Sequence, residues 1–265
     1  MPVMKRILFL ILINFVLTAV GNERVISLSP ALTELVAHLG CEKMLIGRSD
    51  VCNYPATVRK LPVAGRFASP YTEKIIRLKP TLIITNDLIN PNLIKTFADC
   101  NIKCKMMQCR NIAEYRSCVE NLSQLLNAGE NGKKELERIE KKLSTKRTPL
   151  KLNVLWVIWD SPLMVAGKKS LPDEMIRLAG AENVAANVNQ AYFKCSYDWL
   201  LRQKIDVIIW SASPHGYKKH RFWSKLAAVK NKKIIHDLDP DITQRPGPRI
   251  FDGIELLRKK LEEMK

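Results

Sequence analysis

The side chains that could do chemistry in this sequence are few and scattered. Its four histidines are His38, His215, His220 and His236, and two of them lie with Tyr217 in the basic stretch SPHGYKKHRFW. Histidine or tyrosine can ligate a haem iron, although a basic surface loop explains the same residues. The chain contains no Gly-x-Ser-x-Gly, His-Glu-x-x-His or glycine-rich phosphate-binding motif. We therefore expect no catalytic residue and no bound metal, with a secreted α/β hydrolase as a distant alternative.

Seven cysteines offer a second kind of chemistry. They are Cys41, Cys52, Cys100, Cys104, Cys109, Cys118 and Cys195. Because seven is odd, at least one cysteine has no partner within the chain. Cys41 and Cys52 flank a short apolar strand and could meet, which gives one possible disulfide. The spacing of the next three lacks the paired cysteines and the histidines of zinc sites, so that buried thiols or one local disulfide are expected there.

The first twenty-one residues predict the compartment. Lys5 and Arg6 precede an apolar run from Ile7 to Val20, and a small residue follows at Gly21. The run is shorter than the roughly 20 residues of a membrane-spanning helix. We expect residues 1–21 to be a signal peptide that exports the chain to the periplasm. An uncleaved membrane anchor is the alternative.

Composition and charge narrow the class of protein further. Hydrophobic residues make up 46% of the 265 residues and charged residues 26%, as in a folded soluble protein. The formal charge is +17, but the basic residues are scattered and no nucleic-acid-binding motif is present. Together with export, this excludes nucleic acid as the expected partner.

Strands alternate with helices in the first half of the chain. Residues 24–28, 44–47 and 81–85 are short apolar runs that predict buried strands. Ser29 can cap a helix that carries an apolar stripe, and a second helix is predicted over about 70–79. This alternation indicates an α/β fold with mainly parallel sheets.

A repeated unit divides the chain into two lobes. Residues 73–84 (EKIIRLKPTLII) match residues 198–209 (DWLLRQKIDVII) about half a chain later. A charged helical stretch lies between the two copies. We predict an N-terminal α/β lobe over 22–127, a connecting helix over 128–147 and a C-terminal α/β lobe over 148–265.

The order of several motifs resembles a known family. The stretch RVISLSPALTELVAHLG, the loop GRSDVCNYP, the LKP before a buried strand, LAGAENV at 178–184 and RPGPRIFDGIELL at 245–257 are similar to periplasmic binding proteins for vitamin B12, haem and ferric siderophores. The resemblance covers essentially all of residues 24–263. It implies two Rossmann-like lobes joined by a single long helix, the class III fold of periplasmic binding proteins. The resemblance also implies that a bulky ligand is held between the two lobes and that the lobes move little.

The resemblance also implies function and partners. Such proteins are solute-binding components of ABC importers, and their partners are a permease dimer with its ATPase subunits. The loop GRSDVCNYP is most similar to the cobalamin-binding branch, so that a vitamin B12-like corrinoid is the expected ligand. Ferric siderophores and haem are the alternatives. We expect a monomer with no cofactor apart from the transported ligand.

Two aromatic residues match the family's stacking positions. Phe67 and Tyr192 each lie six residues before an acidic residue, Glu73 and Asp198 respectively. That symmetry predicts a ligand clamped from both lobes, although either aromatic side chain could belong to the core. In the family, one acidic residue on each lobe docks on arginines of the permease. We therefore predict docking through Glu73 and Asp198, although acidic residues near helix starts also favour the helix dipole.

Further ligand contacts follow from the resemblance. Pro30 and Ala31 lie on the first strand-to-helix turn, where open α/β sheets bind ligands. Met164 falls at a pocket position of the family, and Asp241 with Arg245 resembles a polar pair that touches ligand. A plain helix start, a core position and a structural salt bridge are the respective alternatives.

Two positions depart from the cobalamin-binding branch. Asn86 is predicted to touch ligand, but it takes a position where the vitamin B12 binders can carry tryptophan. Val51 takes one where they can carry tyrosine. Because of both departures, other metal chelates remain alternative ligands.

Overall fold

The computed structural model describes residues 23–66, 69–86, 89–218 and 221–265. The predicted signal peptide and Phe67 lie outside these ranges. Within the ranges, no helix combines the length and apolarity needed to cross a bilayer.

The strands are β1 (Val25–Ser27), β2 (Leu45–Ser49), β3 (Val63–Arg66), β4 (Ser69–Pro70), β5 (Leu82–Thr85), β6 (Lys103–Met106), β7 (Asn153–Asp160), β8 (Leu163–Ala166), β9 (Glu182–Asn183), β10 (Tyr192–Lys194), β11 (Val207–Trp210) and β12 (Ile234–Ile235). The helices are α1 (Pro30–His38), α2 (Thr72–Leu78), α3 (Pro91–Asp99), α4 (Ile112–Leu125), α5 (Gly129–Ser144), α6 (Leu171–Leu178), α7 (Tyr197–Leu201), α8 (Ala227–Lys230), α9 (Pro240–Thr243) and α10 (Ile250–Glu262).

In the described part of the chain, two six-stranded sheets carry the fold. The first has the order β4-β3-β2-β1-β5-β6, and only its short edge strand β4 is antiparallel to its neighbour. The second has the order β10-β8-β7-β11-β12, with β9 beside the start of β7. In this sheet β7, β11 and β12 are parallel to one another. Strand β8 is antiparallel to β7, and β10 is antiparallel to β8. The predicted α/β class is confirmed.

Local chemistry explains where the first helix begins. The Ser29 side chain accepts a hydrogen bond from the backbone N–H of Leu32, and Pro30 occupies the first turn. Leu32 and Leu35 turn fully buried side chains toward the sheet. Gly40 then adopts a φ of +78°, which ends the helical conformation at little steric cost.

The repeated sequence unit corresponds to a repeated structural unit. In the first copy α2 leads into β5, which lies parallel beside β1. In the second copy α7 leads into β11, which lies parallel beside β7. Each matched segment therefore supplies a helix and an inner strand to its own sheet.

Two helices, α4 and α5, join the sheets. The predicted break at Asn127-Ala-Gly129 is present, because α4 ends at Leu125 and Asn127 takes a φ of +54°. The backbone of Gly132 in α5 packs against Ser123 in α4, so closely that a Cβ at Gly132 would lie 2.4 Å from the Ser123 Cβ. Helix α5 spans Gly129–Ser144, and the backbone of Thr145 after it is extended. It is three residues shorter at its C-terminal end than the predicted connecting helix.

One hydrophobic core runs through both halves of the molecule. Its largest cluster contains Leu35 beneath the first sheet, Tyr115 and Ile139 from the bridging helices, and Trp156 and Phe251 from the C-terminal half. All five side chains are at most 3% exposed. The two sheets therefore share a packed interface, which restricts their relative movement.

The predicted disulfide between Cys41 and Cys52 is wrong. Both sulfurs are unpaired and lie in different surroundings. The Cys52 sulfur is 3.1 Å from the hydroxyls of Thr33 and Ser49, whereas the Cys41 sulfur faces the carbonyl oxygen of Leu39 at 3.7 Å. The extended strand β2 separates the two cysteines, and five residues of strand span roughly 16 Å. A disulfide needs Cα atoms within about 7 Å.

Candidate ligand-binding site

A cavity of about 670 Å³ lies where the two halves of the molecule meet. Its walls come from the segment before α4, from β7, from the start of α6, from β10 and from the loop after α9. The lining residues are Cys109, Arg110, Asn111, Trp156, Ile158, Lys169, Ser170, Leu171, Pro172, Ala191, Tyr192, Thr243, Gln244 and Pro246. This size is within the range of about 300–1,000 Å³ that small-molecule sites occupy.

The floor of the cavity is apolar and rigid. Trp156 and Ile158 alternate along β7 and present one face of the strand to the cavity. Trp156 is fully buried, and its indole N–H donates to the Ser211 hydroxyl at 2.8 Å. Because that donor is already paired, the indole offers a ligand only its apolar surface.

The start of α6 forms a second wall. The Ser170 hydroxyl donates to the Gly167 carbonyl at 2.8 Å and accepts from the Asp173 N–H at 3.1 Å, which caps the helix. Gly167 lets the chain approach β10 closely, since a Cβ there would lie 2.3 Å from the carbonyl oxygen of Gln190. The Gly167 N–H donates to the Ala191 carbonyl at 2.9 Å. This contact brings Tyr192 to the cavity.

Tyr192 is the predicted stacking residue that the structure places in the cavity. It lies on β10 opposite Ala166 and is 44% exposed. Desolvation by its neighbours raises the pKa of its hydroxyl, so the phenol is neutral at physiological pH. Its ring can stack on a flat ligand while the hydroxyl donates a hydrogen bond.

Two cations stand at the rim of the cavity. Arg110 is paired with Glu114, whose carboxylate accepts the guanidinium N–H at 3.0 Å. This hydrogen bond holds the pKa of Glu114 below its usual value. Lys169 adopts a φ of +70° immediately before the Ser170 cap, and no ion pair involves it within the described part of the chain. The rim therefore offers a ligand one free positive charge.

Other predicted ligand residues lie away from the lining. Pro30 and Ala31 are buried in the first turn of α1. Met164 is half-buried on β8, opposite Trp159 and Lys194. Their contact with a ligand stays a prediction.

Asn86 has one feature that suits a ligand contact. It follows β5, and its side-chain oxygen is buried without a hydrogen-bond partner among the described residues. A buried acceptor without a donor costs free energy, and a ligand donor would remove that cost. Whether Asn86 touches ligand is still a prediction.

Asp241 and Arg245 form a salt bridge within the C-terminal half, and both bind Asn53 of the N-terminal half. The Arg245 guanidinium is 2.5 Å from the Asp241 carboxylate and donates to the Asn53 side chain at 2.8 Å. The Asn53 amide donates to Asp241 at 2.6 Å. Both residues therefore connect the loop after β2 to α9, and it is their neighbours Thr243 and Gln244 that line the cavity.

The predicted docking residues occupy equivalent places. Glu73 is the second residue of α2 and Asp198 the second residue of α7. Both carboxylates are exposed, and neither forms an ion pair within the ranges that the structure describes. A partner's arginine could reach either of them without breaking a salt bridge of this chain.

His215, Tyr217 and His236 come together, but away from the inter-lobe cavity. The rings of His215 and His236 are 5.3 Å apart between centroids, and Tyr217 is nearly parallel to His236. None of the three lines the cavity between the halves. Their grouping therefore does not place a haem iron ligand in that cavity.

Sequence reasoning missed much of the cavity wall. Trp156 lies in an apolar run, NVLWVIW, which is typical of any buried strand. Ser170-Leu-Pro172 carried a usable signal, because it repeats the serine cap and early proline of Ser29-Pro30 at a strand-to-helix turn. Arg110 and Lys169 are two basic residues among 43, and only the tertiary structure distinguishes them.

Two sheets that share one core, bridged by paired helices and enclosing a cavity where they meet, define a two-lobed solute-binding protein. The comparisons with known proteins agree, and the chain belongs to the periplasmic binding protein family, whose model matches residues 25–240. It is similar to the vitamin B12-binding protein of Vibrio vulnificus (strain CMCP6), with 29% identity over 258 residues, 93% of this chain and 92% of the relative. It is also similar to the ABC transporter substrate-binding lipoprotein YvrC of Bacillus subtilis (strain 168), with 24% identity over 90% of this chain and 80% of the relative.

Solved structures confirm the two-lobed class III fold. The periplasmic vitamin B12 binding protein BtuF of Vibrio cholerae superposes with a TM-score of 0.70 at 24% identity, covering 91% of this chain and 97% of that one. The periplasmic haem-binding protein HutB of the same species gives a TM-score of 0.80 at 20% identity, covering 91% and 99%. These relatives are named as binding proteins and not as enzymes.

Proposed function

We propose that this protein is the periplasmic solute-binding component of an ABC importer and that its ligand is a corrinoid. The observation that carries the proposal is the cavity between the halves, where the buried indole of Trp156 and the neutral phenol of Tyr192 face the same space. A corrin ring is broad, flat and partly apolar, with polar amides at its edge. It requires this kind of apolar wall with a polar rim.

The similarity to relatives supports the same ligand class. The Vibrio vulnificus protein, which is named for vitamin B12, aligns with 93% of this chain. Haem is the competing ligand because the fold is shared with haem-binding proteins. Among the residues of the SPHGYKKHRFW loop, His215 and Tyr217 lie outside the inter-lobe cavity, which favours the corrinoid.

In this role the protein captures the ligand and delivers it to the permease, and it does not alter the ligand chemically. The ligand enters between the lobes, and the loaded protein docks on the permease through Glu73 and Asp198. The ATPase subunits then drive the permease, which separates the lobes and releases the ligand. The shared core and the hydrogen bonds of Asn53 with Asp241 and Arg245 resist that separation, so release depends on docking.

Calorimetric titration of the purified protein tests the ligand. Cyanocobalamin, haemin and a ferric siderophore are titrated in parallel, and we expect saturable one-to-one binding of cyanocobalamin alone. Binding of haemin or of the siderophore without binding of cyanocobalamin would contradict the corrinoid assignment and leave the transport role in place.

Replacement of Tyr192 tests the site. Tyr192→Ala should weaken cyanocobalamin binding by about tenfold or more, because a stacked aromatic contact and a hydrogen bond are lost. Tyr71→Ala is the matched control, since Tyr71 is 39% exposed and does not line the cavity. Equal affinities of the two variants would remove Tyr192 from the site.

A further inference from the structure

A second cavity, of about 660 Å³, lies at the edge of the second sheet beside β12. Among the residues that the structure describes, it shares no lining residue with the inter-lobe cavity. Its walls combine aromatic, aliphatic and basic side chains. They include Tyr217, Lys218, Arg221, Lys232, Ile234 and His236. We call it the β12 cavity.

The charge of the β12 cavity is not neutralised by the protein. Lys218, Arg221 and Lys232 are exposed, and none of them forms an ion pair within the described residues. No acidic side chain is among the described residues of the lining. The acidic residue that follows His236, Asp237, is already paired with Lys260 at 2.6 Å. Three cations around one concavity create a positive potential that attracts anions.

Flat and apolar surfaces lie beside these cations. The rings of Tyr217 and His236 are inclined by only 17° with centroids 6.4 Å apart. Trp210 fixes Tyr217 from behind through an edge contact at 5.5 Å, and Ile234 adds aliphatic surface on β12. The cavity therefore offers more than charge, because it can also bury the body of an organic ligand.

We propose that the β12 cavity binds a phosphate-bearing organic anion. Arginine and lysine both recognise phosphate, arginine through its planar fork and lysine as a point charge. A phosphate monoester carries close to two negative charges at neutral pH, which suits three cations better than a single carboxylate does. The aromatic and aliphatic walls contact the ester group. A soluble phosphate monoester and the headgroup of phosphatidic acid share this chemistry.

Titration with phenyl phosphate, followed by calorimetry and by tryptophan fluorescence, tests the site. Phenyl phosphate should bind saturably to one site for each chain, and phenol should not. Because the contacts are charged and exposed, raising the salt concentration should weaken the binding. Trp210 should report it, since it touches the wall of the cavity.

A matched pair of variants separates the cavity from general charge. The variant Lys218→Gln/Arg221→Gln/Lys232→Gln removes the three cations, and Lys60→Gln/Lys103→Gln/Lys133→Gln removes three exposed cations elsewhere. Both variants have the same net charge. The first should lose about tenfold or more in affinity for phenyl phosphate and the second about twofold or less. Cyanocobalamin affinity should be the same in both, since the inter-lobe cavity is intact.

Vesicles identify the source of the phosphate. Vesicles of phosphatidic acid, whose headgroup is a phosphate monoester, and of phosphatidylcholine are compared with both variants by co-sedimentation. Retention on phosphatidic acid that is lost only in the cavity variant assigns the site to a lipid headgroup, whereas saturable phenyl phosphate binding without such retention assigns it to a soluble ester. The proposal is overturned if neither probe distinguishes the two variants, or if phenol binds as tightly as phenyl phosphate.

Discussion

Single buried residues hold several elements together through charge. The Glu135 carboxylate of α5 is buried and accepts hydrogen bonds from Tyr115 of α4 at 2.7 Å and from Arg138 at 2.7 Å, and it contacts the His38 ring of α1 at 2.8 Å. Arg138 also donates to the carbonyl of Pro248, just before α10. A buried carboxylate is tolerated only when it is paired and hydrogen-bonded in this way.

The pH dependence of stability should reveal this carboxylate. Burial raises the pKa of Glu135, but hydrogen bonds from His38, Arg138 and Tyr115 outweigh it and hold that pKa at about 2. A carboxyl group whose folded pKa lies below its unfolded value stabilises the fold above the unfolded pKa. Its contribution, about 3 kcal/mol for a shift from about 4.5 to about 2, is lost as the pH falls through that interval.

Glu135→Gln should remove this titration and lower the free energy of unfolding by about 3 kcal/mol at neutral pH, since the half-buried charge of Arg138 loses its counter-ion. Urea denaturation at pH 7 and at pH 3 measures both effects. Glu137→Gln is the control, because Glu137 is exposed on the same helix. If the two variants show the same dependence on pH, Glu135 is not the group that titrates.

The candidate site could be predicted only where residue type and position agree. Tyr192 was found because it repeats the position of Phe67 relative to a helix start. Asp241 and Arg245 have the residue types of ligand contacts and of a salt bridge alike, and their partner Asn53 lies 188 residues from Asp241 in the sequence. No local pattern encodes such a long-range pairing, so the sequence left both roles open.

At the scale of elements, the contact between α4 and α5 depends on glycine. Gly132 faces Ser123, and any side chain there would meet the neighbouring helix. Gly129, at the start of the same helix, has no atom within 4 Å of an added Cβ. The two glycines therefore have opposite expected responses to the same substitution.

Gly132→Ala should destabilise the protein by about 1–3 kcal/mol, since the helices must move apart to admit a methyl group. Gly129→Ala should be neutral or stabilise it by up to about 1 kcal/mol, because alanine has the higher helix propensity. Thermal and urea unfolding of both variants measure the difference. Equal stabilities would show that the helix pair is not closely packed at Gly132.

The elements that the sequence predicted are those with strong local signals. The strand near 24–28, the strand near 81–85 and the break at Asn127 were predicted because apolar runs and turn residues mark them. The antiparallel strands β8 and β10 were not, because β10 has only three residues, two of them exposed. Such a strand forms because β8 offers it an edge, and this is a property of the sheet.

At the scale of the whole molecule, the two lobes are linked by charge as well as by the core. Glu34 of α1 is buried and accepts from Arg249 at 2.8 Å, and Arg249 also lies 4.0 Å over the ring of Tyr54. Arg245 of the C-terminal half adds a hydrogen bond to Asn53 of the N-terminal half. Separating the lobes would expose these groups and part of the core, so the docking that we propose would have to supply the work of ligand release.

The proposed docking on a permease depends on two exposed residues, Glu73 and Asp198. The double variant Glu73→Arg/Asp198→Arg should bind cyanocobalamin with unchanged affinity and fail to deliver it, because two arginines would repel the arginines expected on the permease. Uptake into proteoliposomes that contain the cognate permease and ATPase measures delivery. Asp99→Arg/Glu182→Arg is the matched control, with one exposed acidic residue reversed in each half and the same net charge. Full uptake by the first variant would sink the docking role, and loss of uptake by both would trace the effect to net charge rather than to position.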